Sequence, residues 1–185
     1  MSITIEPSAW VEAGLAELAK GGVDRVRVEV LAERLGVSKG GFYRRFKDRR
    51  ALLDAILDTW ARGRIAAIEK QTERGGETAR ERLKLLIKLY AERVSAQGMA
   101  IELAIRQWAR SDPAAAAAAA SVDAARLRRV MALYGEMGFA APDAQARAVL
   151  FYAYIFGQSL LFLEQPARKR AALTDACASM LTESP

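Results

Sequence analysis

Residues 31–53 read LAERLGVSKGGFYRRFKDRRALL, and this stretch decides the fold. Val28, Leu31, Ala32 and Leu35 recur at i, i+3, i+4 and i+7, which predicts an amphipathic helix over 28–35. Gly36 follows as the residue that can end a helix in the left-handed conformation without strain. Ser38 is placed to accept a hydrogen bond from the free N–H groups of the next helix, so a short helix is expected from Lys39 to near Phe46. Phe42 and Phe46, four apart, should face inward and pin it against Leu31, Leu35 and a preceding helix. Asp48 is a natural N-cap for a longer helix carrying Leu52, Leu53, Ile56, Leu57 and Trp60. Two short helices joined at Gly36-Val37-Ser38, the second of them basic, have the layout of a helix-turn-helix.

Charge singles out the same segment. Residues 34–50 hold seven basic side chains, Arg34, Lys39, Arg44, Arg45, Lys47, Arg49 and Arg50, against the single acid Asp48, a net +6. The chain totals 28 basic and 22 acidic residues, so the other 168 residues carry 21 of each and balance. A concentrated cluster with Phe42, Tyr43 and Phe46 inside it is a footprint for a polyanion, DNA before others. A membrane-surface or other polyanion-binding helical protein is the alternative. It would need a continuous amphipathic helix where Gly36, Gly40 and Gly41 fall.

Outward from this segment, 52% hydrophobic and 27% charged residues over 185 positions describe a globular protein. Long Ala/Leu/Arg/Glu stretches with few β-branched runs make it all-α, with about nine helices. Helices are expected over about 7–20, 28–35, 39–46, 49–73, 77–96, 99–110, from 113 past Tyr134, from 142 through an apolar run, and over 166–181. Breaks are expected at Gly21-Gly22, Gly75-Gly76, Gly98 and Ser111-Asp112-Pro113. Alanines 114–120 read as helix rather than linker, since alanine is the best helix former. The absence of histidine and the single cysteine, Cys177, argue against zinc sites, an internal disulfide and the usual nucleophile–base triads. No enzyme activity, metal or cofactor is expected. The Met1 region lacks the layout of a secretion signal, which suggests a cytoplasmic protein.

Ala148–Leu163 (AVLFYAYIFGQSLLFL) is apolar all round, but its 16 residues fall short of the roughly 20 that span a membrane. Burial between the chain's own core and a partner subunit fits better. Val149, Ala153, Phe156, Gly157 and Leu160 would supply that face, with Ala172, Leu173, Ala176 and Met180 from the last helix.

The order Leu31-Ala32, Gly36-Val37-Ser38, Gly40, Phe42-Tyr43, Phe46, Arg49 and Leu52 resembles the tetracycline-repressor (TetR) family of bacterial transcriptional regulators, over about residues 8–55. The resemblance implies a helix-turn-helix DNA-binding domain over 1–48 and a ligand-binding and dimerisation domain over 49–185. It further implies a homodimeric repressor on a near-palindromic DNA operator, released by a small-molecule effector. Ser38, Lys39, Gly40 and Gly41 would lie at the base edges, where only Lys39 has a side chain long enough to read a base. Tyr43 would aim its hydroxyl at a phosphate; Arg44, Arg45 and Lys47 would clamp phosphates, joined by Arg49 at the start of the fourth helix. Arg27 stands where the family usually has threonine, losing a cap and offering a phosphate contact. Nine of the 14 aromatic residues lie between Tyr90 and Phe162. Tyr90, Trp108, Phe151, Tyr152 and Tyr154, with Arg106 and Gln107, are candidates for the effector pocket, its ligand apolar and uncharged or weakly anionic. Core or dimer packing is the alternative for each aromatic.

Overall fold

The computed structural model describes residues 5–73, 76–93, 96–161 and 166–183, which are helix and turn with no strand among them. Nine α-helices are described: α1 Pro7–Gly21, α2 Val28–Leu35, α3 Lys39–Tyr43, α4 Arg49–Glu73, α5 Ala79–Arg93, α6 Ala96–Trp108, α7 Pro113–Glu136, α8 Ala141–Leu160 and α9 Ala167–Leu181. Gly75 and the end of the apolar run, Phe162-Leu163, lie outside the described residues. The chain forms two compact units, residues 1–64 with 95–122 and residues 65–94 with 123–185, and α4 and α7 each have residues in both.

In the first unit Trp10 of α1 meets Phe42 of α3 edge-on, ring centres 5.3 Å apart. Phe42 also stacks on Phe46 at 5.5 Å. Leu18, Val26, Leu31, Leu52 and Ile56 are fully buried in the same unit, so the two inward phenylalanines do pin the short helix. A Cβ on Gly14 would sit 2.5 Å from Ile56 Cδ1; glycine there lets α1 approach α4 closely. Gly36 ends α2 at φ 65. The Val37 N–H donates to Ala32 O at 3.0 Å and the Gly36 N–H to Glu33 O at 3.1 Å, closing a Schellman turn. Asp48 caps α4 by accepting from the Ala51 N–H at 2.8 Å. Asp112 caps α7 by accepting from Ala114 and Ala115 at 2.9 and 3.0 Å, and the alanine run beyond it is helical.

Several expectations are corrected. α3 ends at Tyr43 instead of near Phe46. The N–H groups of Arg45 and Phe46 both donate to Phe42 O, at 2.8 and 3.0 Å, forming a turn that leads to the Asp48 cap; two glycines in so short a helix weaken its continuation. Ser38 has the extended backbone of an N-cap, φ −75 and ψ 159, but makes no side-chain cap bond. Gly98 lies inside α6, which starts at Ala96. One interior glycine costs about 1 kcal/mol, less than burying Ile105 and Trp108 on the same helix contributes. α5 starts at Ala79 because Thr78 and Glu81 form a capping box: the Glu81 N–H donates to Thr78 Oγ1 at 3.2 Å, and Glu81 Oε2 accepts from Glu77 and Thr78 at 2.9 and 3.2 Å. A 3-10 turn, Val23–Arg25, precedes α2.

The second unit is built on an apolar core that includes Leu83, Ile87, Val130, Tyr134, Phe151 and Ile155. The Tyr134 hydroxyl donates to Leu181 O at 2.8 Å, tying the end of α9 to α7, and burial pushes that hydroxyl up to about 12. α8 buries Ala148, Phe151, Tyr152 and Ile155, while Val149, Leu150 and Leu160 on the same helix, and Leu161 just beyond it, are 50–61% exposed. Ala153, Ala172, Leu173, Ala176 and Met180 are exposed as well. No helix among the described residues is long and apolar enough to cross a membrane.

Candidate nucleic-acid interface

The fold gives the basic segment a structure that its linear charge does not reveal, because most of its cations meet partners distant in sequence. Arg34 Nη1 donates to Glu17 Oε1 at 2.9 Å. Glu17 lies on α1, 3% exposed, and also accepts from Lys20 at 2.7 Å and from Arg25 at 3.1 and 3.2 Å. The Lys20 ammonium first, then the Arg25 and Arg34 guanidiniums, hold this carboxyl at about 2, against the burial that would raise it. One buried carboxylate thus joins α1, the 3-10 turn and α2. Arg49 of α4 donates through Nε to Val26 O and through Nη2 to Val23 O, both at 2.6 Å, and fastens α4 to the turn before α2. Arg50 pairs with Asp54 and with Asp112. Arg45 donates to Ile5 O at 3.0 Å and to Glu6 at 3.2 Å. Lys39 Nζ lies 2.8 Å from Glu29 Oε1.

Arg44 and Lys47 are exposed, and no ion pair or side-chain hydrogen bond engages either among the described residues. Arg27, the exposed N-cap of α2, makes no side-chain cap bond. Tyr43 is 61% exposed, its ring edge-on to Phe42, which leaves its hydroxyl in solvent. The first turn of α3 presents Lys39 beside two glycines. A Cβ on Gly40 would meet nothing nearer than Ser38 Oγ at 3.6 Å, and one on Gly41 nothing nearer than Val37 at 3.7 Å. Neither glycine has a positive φ. Packing within the chain therefore does not require glycine at either position.

The residues assigned from sequence to an effector pocket fall in both units. Arg106, Gln107 and Trp108 belong to the first, where Arg106 pairs with buried Glu102 at 2.9 Å, Gln107 is exposed, and Trp108 lines an open recess of about 280 Å³ with Leu53, Arg50 and Asp112. The other four belong to the second. There Phe151 is fully buried, Tyr152 is 8% exposed with its hydroxyl pushed far up by burial, and Tyr90 donates to Gln71 at 3.3 Å. Tyr154 is half-buried, and burial raises its hydroxyl against the lowering effect of Thr174. Sequence reasoning missed Arg126, a buried guanidinium 5.2 Å from the centre of the Phe156 ring and 6.0 Å from that of Tyr152, with Asp123 at 3.4 Å. A signal was available, since Arg126 falls four residues from each of the buried Val122 and Val130.

The described residues thus form an all-α fold with a helix-turn-helix pinned by buried aromatics, exposed cations in and just after its second helix, and exposed apolar residues on the last two helices. Residues 11–56 match the model described as bacterial regulatory proteins, tetR family. The tetracycline repressor protein class A from transposon 1721 of Escherichia coli is 41% identical over 54 residues, 29% of this chain and 25% of that protein. A transcriptional regulator from Rhodococcus sp. Rha1 has a similar structure, with TM-score 0.75 at 20% identity, covering 96% of this chain and 94% of its own. A candidate transcriptional regulator from Saccharomonospora viridis, in complex with choline, gives TM-score 0.74 at 18% identity, covering 95% and 92%. At such identities the structural likeness is one of fold. The likeness carried by sequence is confined to residues 11–56 of the 185, and the matched region spans a quarter of the length of the tetracycline repressor protein.

Proposed function

We propose that the protein is a DNA-binding transcriptional repressor, acting as a homodimer on a near-palindromic operator and released by a small apolar effector. The observation that carries this reading is the outer surface of the helix-turn-helix. Arg44, Lys47 and Arg27 are exposed cations there, Tyr43 offers a hydroxyl, and the first turn of α3 carries two glycines that the chain's own packing does not need. Phosphate anchoring falls to Arg27, Tyr43, Arg44 and Lys47, while Gly40 and Gly41 admit the duplex close to the backbone of α3. Arg49 and Arg45 act chiefly by bracing the domain, as their bonds to backbone carbonyls suggest.

Residues 1–48 form the reading head and 49–185 the effector and dimer domain. The exposed apolar residues of α8 and α9 form the dimer contact, which places two α3 helices in successive major grooves about 34 Å apart. Effector binding among the aromatic residues of the second unit changes that spacing. The buried Arg126 guanidinium favours an uncharged or weakly anionic effector over a cation. Sedimentation combined with duplex binding at about 150 mM salt tests the proposal. A dimer that prefers an operator over random duplexes is expected; a monomer, or equal affinity for both, overturns it.

A further inference from the structure

Lys39 is the single long side chain on the first turn of α3, and it does not stand alone. Its ammonium lies 2.8 Å from Glu29 Oε1 on the first turn of α2, both side chains about 60% exposed. The Lys39 ammonium, followed by Glu29's own backbone N–H, holds the Glu29 carboxyl below the usual carboxylate range. An exposed pair of this kind adds little to stability. On a face that meets phosphates, a carboxylate is also a net repulsion. The place of Glu29 on the first turn of α2 favours a carboxylate for the helix itself, and its spacing from Lys39 suits it to a second role, in recognition.

In the major groove guanine offers O6 and N7 as acceptors, which suit an ammonium, and cytosine offers its N4 amino group as a donor, which suits a carboxylate. Within one G·C pair, guanine O6 and cytosine N4 are hydrogen-bonded about 2.9 Å apart. The 2.8 Å spacing of the Lys39 and Glu29 head groups is complementary to that edge in distance and in sign. We propose that Glu29 and Lys39 together read one G·C pair in each half-site. Glu29 is the specificity-determining member: it accepts from cytosine N4 and keeps the Lys39 ammonium from settling on a phosphate. The inference rests on the DNA-binding reading above.

The test uses the full-length protein and selection from a pool of random duplexes, followed by salt titrations on the selected and on random duplexes. Wild type is expected to enrich a G·C pair at one position per half-site. Glu29→Ala should lose that preference and Glu29→Gln, whose neutral amide oxygen accepts more weakly, should reduce it, while both bind random duplexes about three- to tenfold tighter, with a salt slope steeper by about 0.9 as Lys39 turns to a phosphate. Lys39→Ala should lose the same preference without the gain in random binding. Two choices at Glu29, one a truncation and one an isostere, cover the case in which one variant folds poorly, and thermal midpoints close to wild type separate recognition from a helix-end effect. If the variants keep the preference, or weaken selected and random duplexes equally, the Glu29 proposal is wrong while DNA binding stands. If wild type binds no duplex, both fall together.

Discussion

Both compact units bury an apolar core, but they differ in what they add to it and in what they leave exposed. In the first, a buried carboxylate, Glu17, gathers three cations from α1, the 3-10 turn and α2, and Arg49 grips two backbone carbonyls. In the second, the one strongly buried ionic group among the described residues is Arg126, and α8, its C-cap Leu161 and α9 leave Val149, Leu150, Leu160, Leu161, Leu173 and Met180 in solvent. A net charge counted along the chain therefore overstates what the first unit can offer a polyanion. Five of its seven clustered cations are engaged internally, and the outward contribution concentrates on Arg44 and Lys47. The second unit differs, since the exposed residues named on α8, at its C-cap and on α9 are apolar and suit another protein surface rather than an ion.

The largest effect should come from breaking the apolar face. Val149→Glu with Leu160→Glu is expected to give a monomer and to weaken operator binding by about a hundredfold or more, because the second half-site contact is no longer intramolecular. Sedimentation and duplex titration would detect it; a dimer that survives both charges would place the contact elsewhere. On the polar side, Arg44→Ala with Lys47→Ala should flatten the salt slope of duplex binding by about 2, whereas Arg45→Ala alone should change it by less than 1. Equal slopes for the two variants would contradict the division between exposed and engaged cations.

Glu17→Gln should destabilise the protein by about 1–3 kcal/mol in denaturant titrations, the size expected for charge-assisted hydrogen bonds to half-exposed cations. Its folded value of about 2 lies below the ordinary 4.5, so its contribution is complete above that ordinary value and disappears as pH falls toward 2. Wild type and Glu17→Gln should accordingly converge in stability at acid pH. The smallest effect concerns the glycines. Gly40→Ala and Gly41→Ala should each raise stability by about 0.5–1 kcal/mol while weakening operator binding, since the chain has room for both methyl groups. Unchanged binding would remove the argument that the duplex requires glycine there.

Local signals made most of the fold legible. The bounds of α2 follow from its apolar spacing and Gly36, and the starts of α4 and α7 from Asp48 and Asp112, because caps and periodicity act within a few residues. The Thr78–Glu81 capping box was equally local and could have been read. Gly98 misled because one glycine is a weak breaker once a helix has a buried side. The site was less legible for a different reason. Glu17 meets Arg34 across 17 positions, Arg45 meets Glu6 across 39 and Arg50 meets Asp112 across 62, so no window of sequence contains the partners that engage these cations. Glu17 did leave one trace, a carboxylate three and four residues beyond Gly14 and Ala13 on the buried side of α1.

Selection of bound duplexes from a random pool tests the central claim most directly. The account predicts an enriched inverted repeat whose half-sites lie about one helical turn apart, matching two α3 helices related by a two-fold axis. No enrichment, or a single motif without symmetry, would contradict it.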